Sequence, residues 1–130
     1  MKSILKALCL LSLSFGGLFA EFLEAERAQA LKEKKLILLT IESDGCPYCA
    51  KMKKEVFDNP KYKKEIDKKF IFVSKNVTDP TLPEIFQVPA TPANAVLIPA
   101  TKEIVDAYTG YIAPDTFMEI LNNAYKTHMK

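Results

Sequence analysis

Two cysteines, Cys46 and Cys49, are separated by two residues and follow an apolar segment and a short polar turn. Pro47 stands where a first helical residue belongs, because the N–H group that proline lacks would be unpaired there. The Cys46 sulfur is therefore placed at a helix N-terminus, which favours negative charge. Such a setting commonly lowers a cysteine pKa from about 8.5 to roughly 3.5–7.5, and the thiolate is the attacking species. Cys49 follows nearly one turn later, so the pattern predicts a thiol–disulfide active site.

Two structural interpretations of the same cysteines compete with redox chemistry. A structural zinc site uses four ligands, whereas the chain after residue 20 has two cysteines and one histidine, His128. A purely structural disulfide between Cys46 and Cys49 would close a very short loop and restrict the unfolded chain little. Redox chemistry is therefore the favoured interpretation, and no metal or organic cofactor is expected.

The first twenty residues have the pattern of a secretory signal peptide. Lys2 and Lys6 precede an apolar stretch over 7–19, and Ala20 offers a small residue for cleavage. An uncleaved membrane anchor is the alternative, but the apolar run is shorter than the ~20 residues of a spanning helix. We therefore predict a signal peptide at 1–20, one domain at 21–130, and a periplasmic or otherwise extracytoplasmic location.

The charge balance after residue 20 bears on whether nucleic acid is a partner. The remaining 110 residues suffice for one compact domain, and they carry 16 basic and 16 acidic residues, a formal net charge of zero. Nothing in this balance suggests nucleic-acid binding. Because extracytoplasmic compartments oxidise thiols, a reductive role there requires an outside supply of electrons.

Hydrophobic periodicity predicts alternating helices and strands. The predicted helices cover 21–35, 47–57, 61–69 and 114–125, with one further helical turn over 83–86. The first helix has an apolar face made by Phe22, Leu23, Ala25, Ala28 and Leu31, and the inward candidates of the second are Met52, Val56 and Phe57. The predicted strands cover 36–41, 70–73 with a continuation towards 77, 93–98 and 103–108. The first strand is apolar apart from Thr40, as expected of a central strand covered on both faces.

Three stretches of the chain resemble the thioredoxin superfamily. They are the Cys46–Cys49 pair after the central strand, Thr91-Pro92 before an apolar strand, and Gly110 before the last helix. The resemblance implies an α/β thioredoxin-like fold with a central mixed four-stranded sheet flanked by helices. Within the superfamily, Gly-Cys-Pro-Tyr-Cys-Ala-Lys-Met followed by Val-Phe-Asp-Asn-Pro resembles the periplasmic SoxW-like group of thioredoxin-related proteins.

The resemblance also implies roles for individual residues. Cys46 would be the nucleophile and Cys49 the resolving thiol. Pro92 would follow a cis peptide bond and turn the Thr91 backbone towards a substrate chain. Pro47 and Tyr48 are further candidates for substrate binding, although Tyr48 fits an exposed loop aromatic equally well.

The chain departs from the thioredoxin pattern in the strand before the cysteines and in the dipeptide between them. Thioredoxins have a buried aspartate beneath the second cysteine, and Thr40 stands at that position here. Glu42 occupies the position of the family's tryptophan, so the sequence does not identify it as a base. The dipeptide between the cysteines is Pro-Tyr rather than Gly-Pro, and relatives with Pro-Tyr differ in the direction of electron flow.

The predicted function is a thiol–disulfide oxidoreductase that reduces disulfides in extracytoplasmic proteins through a mixed-disulfide intermediate. Its expected partners are a protein or small-molecule disulfide and a separate electron donor, such as a membrane thiol carrier. The protein is expected to act as a monomer. Disulfide isomerase, oxidase and a non-catalytic binding or chaperone module are the alternatives.

Overall fold

The computed structural model describes residues 22–129. The predicted signal peptide at 1–20 lies outside the described residues, so the signal peptide and its cleavage stay predictions. Among residues 22–129, no helix has both the length and the apolar character needed to cross a membrane.

Helices and strands alternate along the described chain largely as the sequence predicts. The α-helices of this region are α1 (Glu24–Glu33), α2 (Pro47–Met52), α3 (Pro60–Lys69) and α4 (Pro114–His128). The strands are β1 (Leu36–Glu42), β2 (Phe70–Asn76), β3 (Ala93–Leu97) and β4 (Ile104–Thr109). A π-helical turn, Lys53–Phe57, continues α2, and a 3₁₀ turn lies at Glu84–Phe86.

The strands form one mixed sheet in the order β2-β1-β3-β4, which confirms the predicted architecture. Strand β1 pairs in parallel with β2 and antiparallel with β3, and β3 pairs antiparallel with β4. One register line crosses all four strands, and it joins Ser74, Thr40, Asn94 and Tyr108. Directly paired residues point to the same face of a sheet, so these four polar side chains form a row.

The two faces of the sheet carry separate apolar clusters. Leu36 and Leu38 of β1 pack with residues of α2, α3 and α4 on one face. Ile37, Leu39 and Ile41 pack with α1 and the 3₁₀ turn on the other face. Every residue of 36–41 is at most 4 % exposed, as expected of a central strand that is covered on both faces.

The buried face of α1 differs from the predicted one. The sequence predicted an apolar face made by Phe22, Leu23, Ala25, Ala28 and Leu31. Leu23 is buried, as predicted, but Ala30 is buried with it, whereas Leu31 is 49 % exposed. The reason is Arg27, which lies on the same stripe as Leu23 and Ala30. Its guanidinium donates to the carbonyl oxygens of Pro99 and Ala100, at 2.7 and 2.9 Å, and this fixes the helix rotation.

The helix after the cysteines was predicted to run unbroken from Pro47 to about Phe57. It is α-helical only to Met52 and then widens, with the Asp58 N–H donating to the Lys53 carbonyl at 2.7 Å. Such π-helical turns frequently occur at functional sites. Met52, Val56 and Phe57 are buried, as predicted.

Candidate active site

The turn between β1 and α2 presents Cys46 at the start of the helix. Gly45 adopts φ +68°, a left-handed conformation that glycine reaches without steric cost. Cys46 is the N-cap of α2, and its sulfur accepts a hydrogen bond from the Cys49 N–H at 3.2 Å. Pro47 is the first helical residue, as predicted. The sulfur thus occupies the place where a side-chain acceptor satisfies an otherwise unpaired N–H.

Cys46 and Cys49 are joined by a disulfide, with their Cα atoms 5.3 Å apart. The two residues differ in access to solvent, since Cys46 is half-buried and Cys49 is 6 % exposed. An incoming thiol or disulfide therefore reaches Cys46 more readily than Cys49.

The loop before β3 faces the first cysteine. The Thr91–Pro92 peptide bond is cis, as the resemblance implied. The Cys46 sulfur lies 3.6 Å from the Thr91 carbonyl oxygen and 3.5 Å from Thr91 Oγ1. Ser43 Oγ and Thr91 Oγ1 share a hydrogen bond at 2.6 Å, and the Gly110 N–H donates to the Pro92 carbonyl at 2.7 Å. These bonds connect the loop to both neighbouring turns.

A cleft of about 160 Å³ extends beneath the second cysteine. Thr40 and Glu42 of β1 line it on the same side as Cys49 and Pro92. Its other lining residues are Met52, Lys53, Phe57, Asp58, Phe72 and Ser74. Thr40 is 4 % exposed and lines this cleft together with Cys49.

With this geometry established, comparison with known proteins assigns the family. Residues 23–125 match the model of a thioredoxin-like domain. The chain belongs to this family. No curated protein sequence matches the chain significantly. The family match and the disulfide at Cys-x-x-Cys spacing support thiol–disulfide oxidoreductase activity in general.

Solved structures similar to this thioredoxin-like domain include bacterial thioredoxins and a related domain. A thioredoxin from Thermus thermophilus has 24 % identity and a TM-score of 0.67, over 78 % of this chain and 82 % of its own. The periplasmic thioredoxin SoxS from Paracoccus pantotrophus has 25 % identity and a TM-score of 0.55, over 68 % and 94 %. The C-terminal domain of Neisseria meningitidis DsbD has 21 % identity and a TM-score of 0.60, over 78 % and 92 %.

Tyr48 lies at the surface, between the two cysteines of the disulfide in sequence. Its ring is 59 % exposed and its centroid is 6.1 Å from that of Tyr111. Tyr111 donates a hydrogen bond to Glu55, and this bond raises the pKa of the Tyr111 phenol. The Lys51 ammonium lies 4.4 Å from the Tyr111 ring centroid. The sequence missed Tyr111, because only the folded chain brings it to α2.

Asn94 is a buried polar residue that sequence reasoning missed. It is 2 % exposed, and neither polar atom of its side chain has a hydrogen-bond partner in the described structure. Tyr108 lies opposite Asn94 on β4, and burial, followed by a hydrogen bond to Asp106, raises the pKa of the Tyr108 phenol. A lone amide inside the apolar strand 93–97 was the available signal.

The remaining alternative for the cysteines was a zinc site. His128 is exposed at the end of α4. In the part of the chain that the structure describes, no three His, Cys, Asp or Glu side chains form a group able to hold a metal ion.

Proposed function

We propose that this protein is an extracytoplasmic thiol–disulfide oxidoreductase that reduces disulfides through its Cys46-Pro47-Tyr48-Cys49 site. The observation that carries the proposal is the position of one sulfur. Cys46 caps α2, accepts the Cys49 N–H at 3.2 Å, and faces the loop containing the cis Thr91–Pro92 bond. A thiolate formed there would keep a hydrogen-bond donor and favourable helix-terminal partial charge.

Substrate reduction takes place in two displacements. The Cys46 thiolate attacks one sulfur of the substrate disulfide, the substrate S–S bond breaks, and the departing sulfur leaves as a thiolate that takes a proton from water. The Cys49 thiolate then attacks the Cys46 sulfur of the mixed disulfide. This releases the second substrate sulfur and forms the Cys46–Cys49 disulfide. Two electrons pass to the substrate, and no organic cofactor or metal is needed.

Substrate binding is assigned to the surface around Cys46. An extended substrate segment would pair with the Thr91 backbone as an added strand, since this backbone lies beside the attacking sulfur. Exposed Pro47 and Tyr48 would contact the substrate next to its disulfide. Pro92 holds the Thr91 carbonyl in this orientation.

The periplasm is the proposed location of the protein, and its partners include a separate electron donor. The leader pattern at 1–20 and the resemblance to the SoxW-like group both favour the periplasm. Similarity to a protein described as a periplasmic thioredoxin, SoxS, supports the same location. A separate donor, such as a membrane thiol carrier, would re-reduce the disulfide of the monomeric protein. The reduction potential, measured against glutathione, decides the direction of electron flow: about −270 mV indicates a reductant and about −120 mV an oxidant.

Reduction of insulin by dithiothreitol, with and without the protein, tests the proposal. The wild type should accelerate insulin precipitation, and Cys46→Ser should not. Ala50→Ser is the matched control, because it introduces the same side chain at an exposed position of α2. Absence of acceleration by the wild type, or equal acceleration by Cys46→Ser, would reject the enzymatic proposal in favour of a binding module.

A further inference from the structure

The resolving step requires a proton acceptor for Cys49. Only a thiolate attacks a disulfide efficiently, and burial in apolar surroundings raises the pKa of a thiol. Cys49 is 6 % exposed, so bulk water has little access to its sulfur. Thr40, which lines the same cleft as Cys49, has no ionisable group. The chain therefore needs another group within reach of the buried thiol.

The cleft that Cys49 lines contains a carboxylate, that of Glu42. Glu42 and Thr40 both lie on β1, two residues apart, and so they point to the same face of the sheet. Both residues line the cleft together with Cys49. The cleft volume of about 160 Å³ is several times the share of one water molecule, about 30 Å³. The cleft therefore has room for water beside the Thr40 and Ser74 hydroxyls, which also line it.

The charges around the cleft leave Glu42 available. Lys53 and Asp58 are the other ionisable side chains that line it besides Cys49, and they pair with each other at 3.2 Å. Within residues 22–129, the Glu42 carboxylate takes part in no ion pair and accepts no side-chain hydrogen bond, and the residue is half-buried. Glu42 is therefore the acidic residue without a side-chain partner that lines the cleft together with the resolving thiol.

We propose that Glu42 is the proton acceptor for Cys49 when the mixed disulfide is resolved, an assignment that rests on the proposed function. The Cys49 S–H proton moves through the cleft to the Glu42 carboxylate. The sulfur electron pair forms the bond to Cys46, and the bond between Cys46 and the substrate sulfur breaks. The substrate sulfur leaves with the electron pair and takes a proton from water, and Glu42 then returns its proton to solvent.

A reaction with two kinetic phases tests the role of Glu42 independently of the proposed function. Reduced protein is mixed with excess dithiobis(nitrobenzoate), which releases coloured thionitrobenzoate once when Cys46 attacks and again when Cys49 resolves the mixed disulfide. Glu42→Gln should leave the first phase unchanged and slow the second by about 10²-fold at neutral pH, the lower end of general-base effects. At about pH 9.5 the difference should shrink, because the thiol then ionises without help. Glu42→Asp should restore part of the rate.

Two control variants sharpen the interpretation. Asp58→Asn makes the same carboxylate-to-amide change in the same cleft, and Glu65→Gln makes it at an exposed site on α3. Neither should slow the second phase. Equal second phases in the wild type and Glu42→Gln would overturn the assignment, as would an equal loss in Asp58→Asn. A loss in Glu42→Gln that persists undiminished at about pH 9.5 would indicate a purely structural effect and would also overturn it. A missing first phase in the wild type would instead reject the proposed function.

Discussion

The surroundings of the two active-site sulfurs are opposite in character. Cys46 is half-buried and its sulfur has polar neighbours at the surface, namely the Cys49 N–H at 3.2 Å and Thr91 Oγ1 at 3.5 Å. Cys49 is 6 % exposed and lines a cleft together with Thr40, Met52 and Pro92. The first environment stabilises a thiolate, whereas the second one disfavours it.

This difference divides the chemistry between the two residues. The sulfur with donors and solvent access is suited to meet an incoming disulfide. The buried sulfur is protected from outside reagents and lies close enough to Cys46 to close the bond. Attack and resolution therefore follow from two environments within one turn of helix.

The largest expected effect comes from removing each sulfur in turn. Cys46→Ala should abolish the reaction with a substrate disulfide, because Cys49 is too buried to attack in its place. Cys49→Ala should react once and remain joined to its substrate, since nothing resolves the mixed disulfide. Non-reducing gels of extracts incubated with each variant measure this. Adducts in Cys46→Ala, or their absence in Cys49→Ala, would contradict the assignment of Cys46 as the attacking thiol and Cys49 as the resolving thiol.

A smaller effect, on stability, is expected from a substitution at Asn94 in β3. Asn94→Leu should raise the free energy of unfolding by about 1–3 kcal/mol, because it replaces an unpaired buried amide by an apolar group of similar shape. Urea unfolding measures the change. Thr40→Val is the matched control on the opposite strand, where the side chain faces the cleft, and its effect should be smaller. A loss of stability in Asn94→Leu would show that the amide is paired in solution.

The smallest effect is expected beside Cys46. Thr91→Val removes the hydroxyl near the sulfur at nearly constant volume, and one hydrogen bond contributes about 0.5–1.5 kcal/mol. The alkylation rate of reduced Cys46 at about pH 6 should therefore fall severalfold. Ser43→Ala, which keeps the Thr91 hydroxyl, should change the rate less. An unchanged rate in Thr91→Val would remove this contact from the account of Cys46 reactivity.

Much of the fold was predictable because its signals are local. The run 36–41, which is apolar apart from Thr40, predicted a strand buried on both faces, and Pro47 predicted the helix start that makes Cys46 an N-cap. The cis bond before Pro92 required the family resemblance, since most X-Pro bonds are trans. The rotation of α1 was missed, because Arg27 is anchored by carbonyl groups more than seventy residues away in sequence.

The site was predicted less completely, because part of it is formed by residues that are distant in sequence. Its cysteines carry their chemistry in type and spacing, so the sequence identified them. The contact of Tyr48 with Tyr111 and the shared cleft of Glu42 and Cys49 depend on how strands and helices pack. The polar row across the sheet depends on strand register, which no local pattern specifies here.

The pH dependence of alkylation of each thiol in the reduced protein tests the central claim most directly. Rates for Cys46 and Cys49 are measured separately by fragment mass spectrometry after brief iodoacetamide treatment. Cys46 should react with a midpoint well below the value of about 8.5 for free cysteine, and Cys49 should react slowly with a higher midpoint. A Cys46 midpoint at or above that of free cysteine, or the reverse order of the two thiols, would contradict the account.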